Sequence, residues 1–128
     1  MFNGTPKGIA YSPEGIAERW LKTFVPDVSA VQIEKRGRYL WELFFYTSHP
    51  YLEDEAAHRA YEAQDTKQIL FFQCHGRGKF GYDIPELVLT GKLTLQELNR
   101  CPDGFAVAPD FSWTYVHSHE GDDFFCTC

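Results

Sequence analysis

The chain ends with the stretch "SWTYVHSHEGDDFFCTC", residues 112–128, and this stretch decides the prediction of fold. Its two apolar segments, "FSWTYVHS" (111–118) and "FFCTC" (124–128), are short and rich in aromatic side chains, as β-strands are. Between them lies "EGDD" (120–123), whose glycine and acidic residues are typical of a turn. The sequence therefore predicts that the chain ends in a β-hairpin.

Further strands and one ambiguous segment lie upstream of the hairpin. The short apolar run "KQILFFQC" (67–74) is followed by a glycine-containing loop, and "GFAVA" (104–108) is a second such run, so both are predicted to be strands. The segment "RYLWELFFYT" (38–47) is apolar apart from its ends and Glu42. Its aromatic content favours a strand, and a short helix is the alternative.

Three segments combine apolar side chains at helical spacing with recognisable helix starts. Ser12 and Pro13 are suited to the N-cap and first position of the first helix, and Thr94 and Glu97 form a capping box in the third. The three segments are "YSPEGIAERWLKTF" (11–24), "LEDEAAHRAYEAQ" (52–64) and "LTLQEL" (93–98). We expect an α+β domain spanning 1–128, with about three helices packed on one mixed or antiparallel sheet and a loose N-terminal arm at 1–10.

Composition restricts the class of protein and of partner. The 128 residues are 44% hydrophobic and 23% charged, which is typical of a globular domain, and 16% are aromatic. The net charge of −6 argues against nucleic-acid binding and is compatible with a basic protein partner. Neither a signal peptide nor a membrane-spanning segment is recognisable, so we expect a soluble cytoplasmic protein with no membrane partner and with reduced cysteines. The oligomeric state cannot be predicted.

The C-terminal hairpin is a candidate metal site. A four-residue turn at 120–123 pairs His117 with Cys126 and Tyr115 with Cys128. Alternate residues of the two strands, beginning at Trp113 and ending at Cys128, then lie on one face of the hairpin. Zinc is typically bound by four imidazole nitrogens and thiolate sulfurs. The candidate ligands are His117, His119, Cys126 and Cys128.

The same face has a structural interpretation, which the composition favours. Trp113 and Tyr115 are typical of a core, and cysteine is among the most often buried residue types. A histidine on such a face would then be hydrogen-bonded rather than bound to a metal. The structural interpretation predicts no cofactor, and the metal-site interpretation predicts zinc.

Two other regions carry candidate residues. The loop "HGRGKFG" (75–81) has the spacing G-x-G-x-x-G but no helix directly after it, so a flexible loop is favoured over a dinucleotide site. Its side chains His75, Arg77 and Lys79 form a locally basic spot that could bind an anion or an acidic partner. His58 is predicted to lie on the outer, solvent-exposed face of its helix, near acidic residues.

The C-terminal segment resembles a bacterial domain family of unknown function. The resemblance rests on a Ser-Trp-Thr-Tyr-Val segment that is followed by a [Ser/Thr]-His-Glu step. The matching residues are Ser112, Trp113, Thr114, Tyr115, Val116, Ser118, His119 and Glu120. The "GDDFFCTC" ending departs from the Gly-Pro-Tyr-Phe ending of that family. The resemblance implies no activity, and it directs attention to Trp113, Tyr115, His119 and Glu120 as one binding unit.

These observations favour a small non-catalytic protein that binds or regulates another macromolecule, because no convincing catalytic set is recognisable. The alternative is a zinc-binding domain or a metal-dependent hydrolase that uses the C-terminal His and Cys residues, with Glu120 as a nearby base.

Overall fold

A computed structural model describes residues 12–78 and 81–128. The predicted N-terminal arm at 1–10 and the candidate Lys79 lie outside these residues. The helices are α1 (Pro13–Phe24), α2 (Ala30–Arg36), α3 (Asp54–Glu62) and α4 (Leu95–Asn99), with a 3₁₀ helix at Leu40–Tyr46. The strands are β1 (Leu52–Glu53), β2 (Gln68–Gln73), β3 (Arg77–Gly78), β4 (Gly81–Tyr82), β5 (Leu87–Gly91), β6 (Gly104–Val107), β7 (Trp113–His117) and β8 (Asp123–Thr127).

Six of the strands form one antiparallel sheet in the order β1-β8-β7-β6-β2-β5, and β3 pairs with β4 separately. The predicted α+β class, the antiparallel sheet and the C-terminal hairpin are therefore confirmed. Among the described residues, no helix has both the length and the apolar character that crossing a membrane requires.

The predicted helix starts are present and have the expected chemistry. The Ser12 hydroxyl accepts a hydrogen bond from the backbone N–H of Gly15 at 3.2 Å, which satisfies one of the free donors of α1. In α4, the Thr94 hydroxyl accepts from the Glu97 N–H at 3.1 Å, and the Glu97 carboxylate accepts from the Thr94 N–H at 2.8 Å. Local side chains thus fix where these helices begin.

The preference for a strand at 38–47 was wrong, because residues 40–46 form the 3₁₀ helix. The Glu42 carboxylate accepts from the Tyr39 N–H at 2.8 Å and caps the helix. Four of its apolar side chains are buried in pairs, which is a helical spacing rather than the alternation of a strand. The four are Leu40, Trp41, Leu43 and Phe44. Five further elements, α2, β1, β3, β4 and β5, were not predicted, and β1 takes the first two residues of the helix predicted at 52–64.

The sheet carries a core on each face. On the first, here called the α1 face, α1 and the 3₁₀ helix pack with Trp20, Trp41 and Phe44 against Phe105 and Phe124. On the second, the α3 face, helix α3 packs with Ala57 and Tyr61 on Trp113, Tyr115 and Phe125. Because both faces are covered, a residue's position along a strand decides which of two separate cores it enters.

Gly104, at the start of β6, has no room for a side chain. A Cβ atom there would lie 2.7 Å from the Cys101 carbonyl oxygen and 3.1 Å from a ring carbon of Phe71. We expect Gly104→Ala to lower the free energy of unfolding by about 2 kcal/mol, as overpacking does. Chemical denaturation measures this. Gly91→Ala is the control, because a Cβ there meets nothing within 4 Å; equal stability of the two variants would contradict the prediction.

Candidate functional site

The turn of the C-terminal hairpin differs from the predicted one. It spans residues 118–122, and the N–H of Ser118 donates to the carbonyl of Asp122 at 2.9 Å. The Ser118 hydroxyl also accepts from the Asp122 N–H at 3.1 Å, and Gly121 adopts a φ of 91°, a conformation that suits glycine. This turn pairs His117 with Asp123 instead of Cys126. The register is shifted by three residues, and an odd shift moves the side chains of β8 to the other face.

The shift separates the predicted zinc ligands. Cys126 lies on the α1 face, 2% exposed, opposite Thr114, whereas His117 lies on the α3 face. Cys128 is exposed at the chain end, and the side chain of His119 is held in a separate contact described below. The prediction that these four side chains share one face is therefore wrong. Among the described residues, no group of three or more His, Cys, Asp and Glu side chains is arranged to hold a metal ion.

Two of the four cysteines are protected by burial. Burial raises the pKa of Cys126 to about 12 and that of Cys74 to about 11, because it disfavours the charged thiolate. We expect a thiol reagent at neutral pH to label Cys128 first and Cys101 next. Labelling of Cys74 and Cys126 should be at least about 100-fold slower in the folded protein, since the thiolate is the reacting form. Peptide mapping measures the rates, unfolded protein is the control, and equal labelling of all four thiols in the folded state would contradict this.

The hairpin assembles two clusters of histidine and carboxylate. The first, here called the Asp123 cluster, lies on the α3 face. The Asp123 carboxylate bonds His58 Nε2 with one oxygen and His117 Nδ1 with the other, and Tyr115 also hydrogen-bonds to it. The backbone N–H of Asp123 donates to Asp54 Oδ1 at 3.2 Å. This cluster ties α3 to the start of β8.

The second, the Asp103 cluster, lies on the α1 face at the same end of the sheet. Asp103 Oδ1 accepts from Trp41 Nε1 at 2.8 Å and from the His119 N–H at 2.9 Å. His119 Nδ1 lies 2.9 Å from Oδ1 and 3.0 Å from Oδ2 of the same carboxylate. The ring of His119 packs edge-on against Tyr39 and Trp41, with centroids 4.7 and 5.6 Å away.

The geometry of the Asp103 cluster fixes the orientation of the His119 ring. Since an ionised carboxylate only accepts hydrogen bonds, Nδ1 of His119 donates to Asp103 and Nε2 is directed away from that carboxylate. Nε2 is 3.9 Å from a carboxylate oxygen of Glu120, and the His119 side chain is 36% exposed. His119 therefore presents an oriented, accessible Nε2 at the turn.

A model of the protein family described as Domain of unknown function (DUF4275) matches residues 19–126. The chain belongs to the DUF4275 family. The match includes all of β1 to β7, most of β8 and both histidine–carboxylate clusters. The predicted membership of a family of unknown function is thus confirmed, whereas the motif and the bacterial origin stay predictions. Searches of the curated proteins and of the solved structures found no match.

In this DUF4275 domain, the four residues considered as one binding unit lie in two places. Trp113 and Tyr115 are buried on the α3 face, at 3% and 1% exposure, where Tyr61 packs on both. His119 and Glu120 lie at the exposed turn. Only the second pair is accessible to a partner without unfolding.

The basic loop lies in a different part of the domain. His75 and Arg77 line an open groove of about 540 Å³ between α1 and the β3–β4 pair. Arg77 Nη1 donates to the carbonyls of Ile33 and Glu34 at 3.0 and 3.1 Å, and it thereby caps the C-terminal end of α2. This contact gives the Arg77 side chain a structural role, and anion binding by His75 and Arg77 stays a prediction.

Three central residues of the two clusters are hard to recognise in the sequence. Asp103 and Asp123 resemble ordinary loop acids, and His58 was predicted to be solvent-exposed, which is wrong because its ring is half-buried against Asp123. His58 does lie one residue beyond the buried Ala57 on α3, so a position at the margin of the inner face was recognisable.

Around these clusters, one accessible region combines an exposed ring with acidic side chains. Phe45, 52% exposed, packs on Phe124 with centroids 5.8 Å apart at the start of β8. Glu53 pairs with Phe124, Asp54 bonds the Asp123 backbone, and two more acids lie in the adjoining turn. We call this the hairpin-end surface: Phe45, Glu53, Asp54, Glu120 and Asp122.

Proposed function

We propose that this DUF4275 domain is a non-catalytic binding module and that it recognises a basic protein partner through the hairpin-end surface. The observation that carries the proposal is that four carboxylates and one exposed aromatic ring lie on segments that meet at the same end of the sheet. Isolated exposed apolar residues are common on proteins, but an aromatic ring inside an acidic rim is typical of an interface. The proposed setting is the cytoplasm.

The charge of the chain supports a basic partner. The net charge of −6 attracts cations at long range, and the four carboxylates concentrate that attraction at one place. Arg59, a nearby cation on α3, lies 3.8 Å from Glu55 and thus already has an acidic neighbour. A lysine or arginine of the partner would meet four carboxylates at the hairpin-end surface, of which Glu120 has His119 Nε2 as a neighbour at 3.9 Å.

Phe45 provides the apolar part of the contact. The outer face of the nearby Tyr39 ring already carries the chain's own guanidinium, since Arg38 lies 5.4 Å above it. Phe45 is packed at its edges against Trp41 and Phe124, which holds the ring in place while half of it stays exposed. A ring fixed in this way loses little entropy on binding and can receive an aliphatic stem or a cation.

The rigid foundation of the surface also supports a binding role. The Asp103 and Asp123 clusters hold the turn to the 3₁₀ helix and to α3, respectively. Because the turn is tied at both faces of the sheet, Glu120 and Asp122 are presented from a preorganised backbone, and preorganisation lowers the entropic cost of association.

A comparative pull-down from the native cytosol tests the proposal. The wild-type domain should retain a basic protein reproducibly, and the double variant Glu120→Lys, Asp122→Lys should lose it. With the purified partner, titration calorimetry should show that this reversal and Phe45→Ser each weaken binding at least about tenfold, the change that corresponds to about 1.4 kcal/mol. Binding should also weaken as salt is raised, because the attraction is electrostatic.

The control variants change the net charge, or remove an exposed apolar side chain, at positions outside the hairpin-end surface. Glu34→Lys with Glu62→Lys alters the net charge equally at exposed helical positions, and Val31→Ser removes an apolar side chain that is 60% exposed. These variants should bind as the wild type does. A partner retained equally by all variants, or no reproducible partner, would exclude the hairpin-end surface as the binding site.

A further inference from the structure

The outer edge of β5 carries backbone groups that are free to pair. The N–H of Lys92 donates to the carbonyl of Lys67 at 3.0 Å, in the same register that pairs Leu89 with Leu70. In an antiparallel ladder, alternate residues direct their N–H and C=O groups to the same neighbour. Residues 88, 90 and 92 therefore bond β2, and Leu87, Leu89 and Gly91 direct theirs outward. Within the described part of the chain, no hydrogen bond engages these outward groups.

The two edges of the sheet are protected to different extents. The edge strand β1 has only two residues and leads directly into α3. The edge strand β5 has five residues, "LVLTG", with no charge and no proline. Proteins usually protect an exposed edge with charges, proline, a bulge or a short strand, because a free edge pairs with other strands. An edge with none of these devices is suited to be covered.

We propose that this edge is an interface at which two copies of the chain pair antiparallel, with Leu89 opposite Leu89 of the partner subunit. This inference is independent of the hairpin-end surface and of the proposed function. The axis at Leu89 is the two-fold arrangement that pairs all three outward residues, since Leu87 then lies opposite Gly91 of the partner subunit. It allows six backbone hydrogen bonds across the interface, two for each pair.

The charges that flank β5 are complementary in the same arrangement. Two-fold pairing about Leu89 places Glu86 opposite Lys92 of the partner subunit, and the converse pair forms on the other side of the axis. Residues 86, 88, 90 and 92 share the α3 face, so these charged side chains meet on one surface. A slip of two residues places Glu86 opposite Thr90 or Thr94 of the partner subunit instead, and both ion pairs are lost.

Lys92 is already positioned for such a pair. Its ammonium donates to the carbonyls of Tyr61 and Gln64 at 2.9 and 2.6 Å, at the C-terminal end of α3. An ammonium has three donors, so one remains for a carboxylate of the partner. Because α3 holds the lysine in place, less side-chain entropy is lost when Glu86 of the partner subunit pairs with it.

Light scattering and sedimentation over a concentration series test the proposal with the full chain. The wild type should reach twice the 14.8 kDa mass of one chain. Gly91→Pro removes an outward N–H without removing a bond to β2, and it should abolish the dimer. Gly91→Ala keeps that N–H and its Cβ meets nothing within 4 Å, so it should dimerise as the wild type does. Thermal unfolding by circular dichroism shows whether each variant is folded.

A charge variant tests the register separately. Glu86→Lys places lysine opposite lysine on both sides of the axis, and we expect the dissociation constant to rise about tenfold. Glu34→Lys is the matched control, because it changes the net charge equally away from the edge. In the wild type, exchange of the Leu89 amide with deuterium should slow as the dimer forms. A monomer at every concentration, or a dimer unaffected by Gly91→Pro and Glu86→Lys, would overturn the proposal.

Discussion

Replacing Asp103 with alanine should lower the free energy of unfolding by about 4 kcal/mol, the largest effect expected for a substitution in either cluster. Its carboxylate accepts from the buried indole of Trp41 and from both the backbone and the ring of His119. In the wild type, every buried side-chain nitrogen and oxygen among the described residues has a hydrogen-bond partner. Without the Asp103 carboxylate, a buried N–H is left with no acceptor. Each such loss costs about 1 to 3 kcal/mol.

The backbone at Asp103 contributes the remainder of the expected effect. Its φ is 57°, in the left-handed region that asparagine and aspartate tolerate and that costs alanine about 1 kcal/mol. Asp103→Gly removes the carboxylate without this strain, so it should cost about 3 kcal/mol. Asp103→Asn retains one acceptor oxygen and the tolerated backbone, and we expect a loss of about 1.5 kcal/mol. The expected loss of stability therefore decreases in the order alanine, glycine, asparagine. The difference between alanine and glycine measures the backbone strain, and the loss in the glycine variant measures the contribution of the carboxylate.

Denaturant unfolding of the three variants measures this series, and Asp110→Ala provides a control at an exposed aspartate. The fluorescence of Trp41 should also change in the alanine and glycine variants, because the environment of its indole N–H is altered. If Asp103→Gly were as stable as the wild type, the carboxylate would contribute nothing and the cluster would not hold the turn.

Replacing Asp123 with alanine should lower the free energy of unfolding by about 3 kcal/mol. The substitution leaves His58, His117 and the buried Tyr115 without the carboxylate that they share. Burial raises the pKa of Tyr115, and the substitution leaves its buried, neutral hydroxyl without this hydrogen-bond partner. The main consequence is a weaker attachment of α3 to β8.

A double-mutant cycle with His58→Ala isolates that attachment. His58→Ala alone should cost about 1 kcal/mol, and the double variant should cost less than the sum of the two because both remove the same contact. Asp122→Ala is the neighbouring control and should change stability by less than about 0.5 kcal/mol. Strict additivity of His58→Ala and Asp123→Ala would show that the two side chains do not interact.

The parts of the fold that were predictable depend on neighbours in the sequence. Ser12, Thr94 and Glu97 satisfy helix ends within three residues, so the starts of α1 and α4 could be predicted from local chemistry. The same local chemistry begins α2, where Ser29 and Gln32 form a capping box within three residues. At the 3₁₀ helix two local signals conflict, because its aromatic content favours a strand whereas the paired spacing of its buried residues indicates a helix.

The positions of the site residues depend on the register of the C-terminal hairpin, which local sequence patterns do not determine. The turn at 118–122 closes through Ser118 and Gly121, and a difference of three residues in register reversed the faces of β8. His117 and Cys126 were separated as a result, and Asp123 entered the α3 face. Asp103 and His58 find their partners across the sheet, over 16 and 65 residues of sequence, so composition alone could not connect them.

The strand order has a consequence for avidity. The hairpin-end surface lies toward the edge formed by β1 and β8, whereas β5 forms the opposite edge. A dimer joined at β5 would therefore carry its two hairpin-end surfaces at the far ends of one continuous sheet, roughly 40 Å apart at the usual strand spacing. Such a molecule would be bivalent, and it would bind a partner with repeated basic sites more tightly than a single site allows, provided that the repeat matches this span.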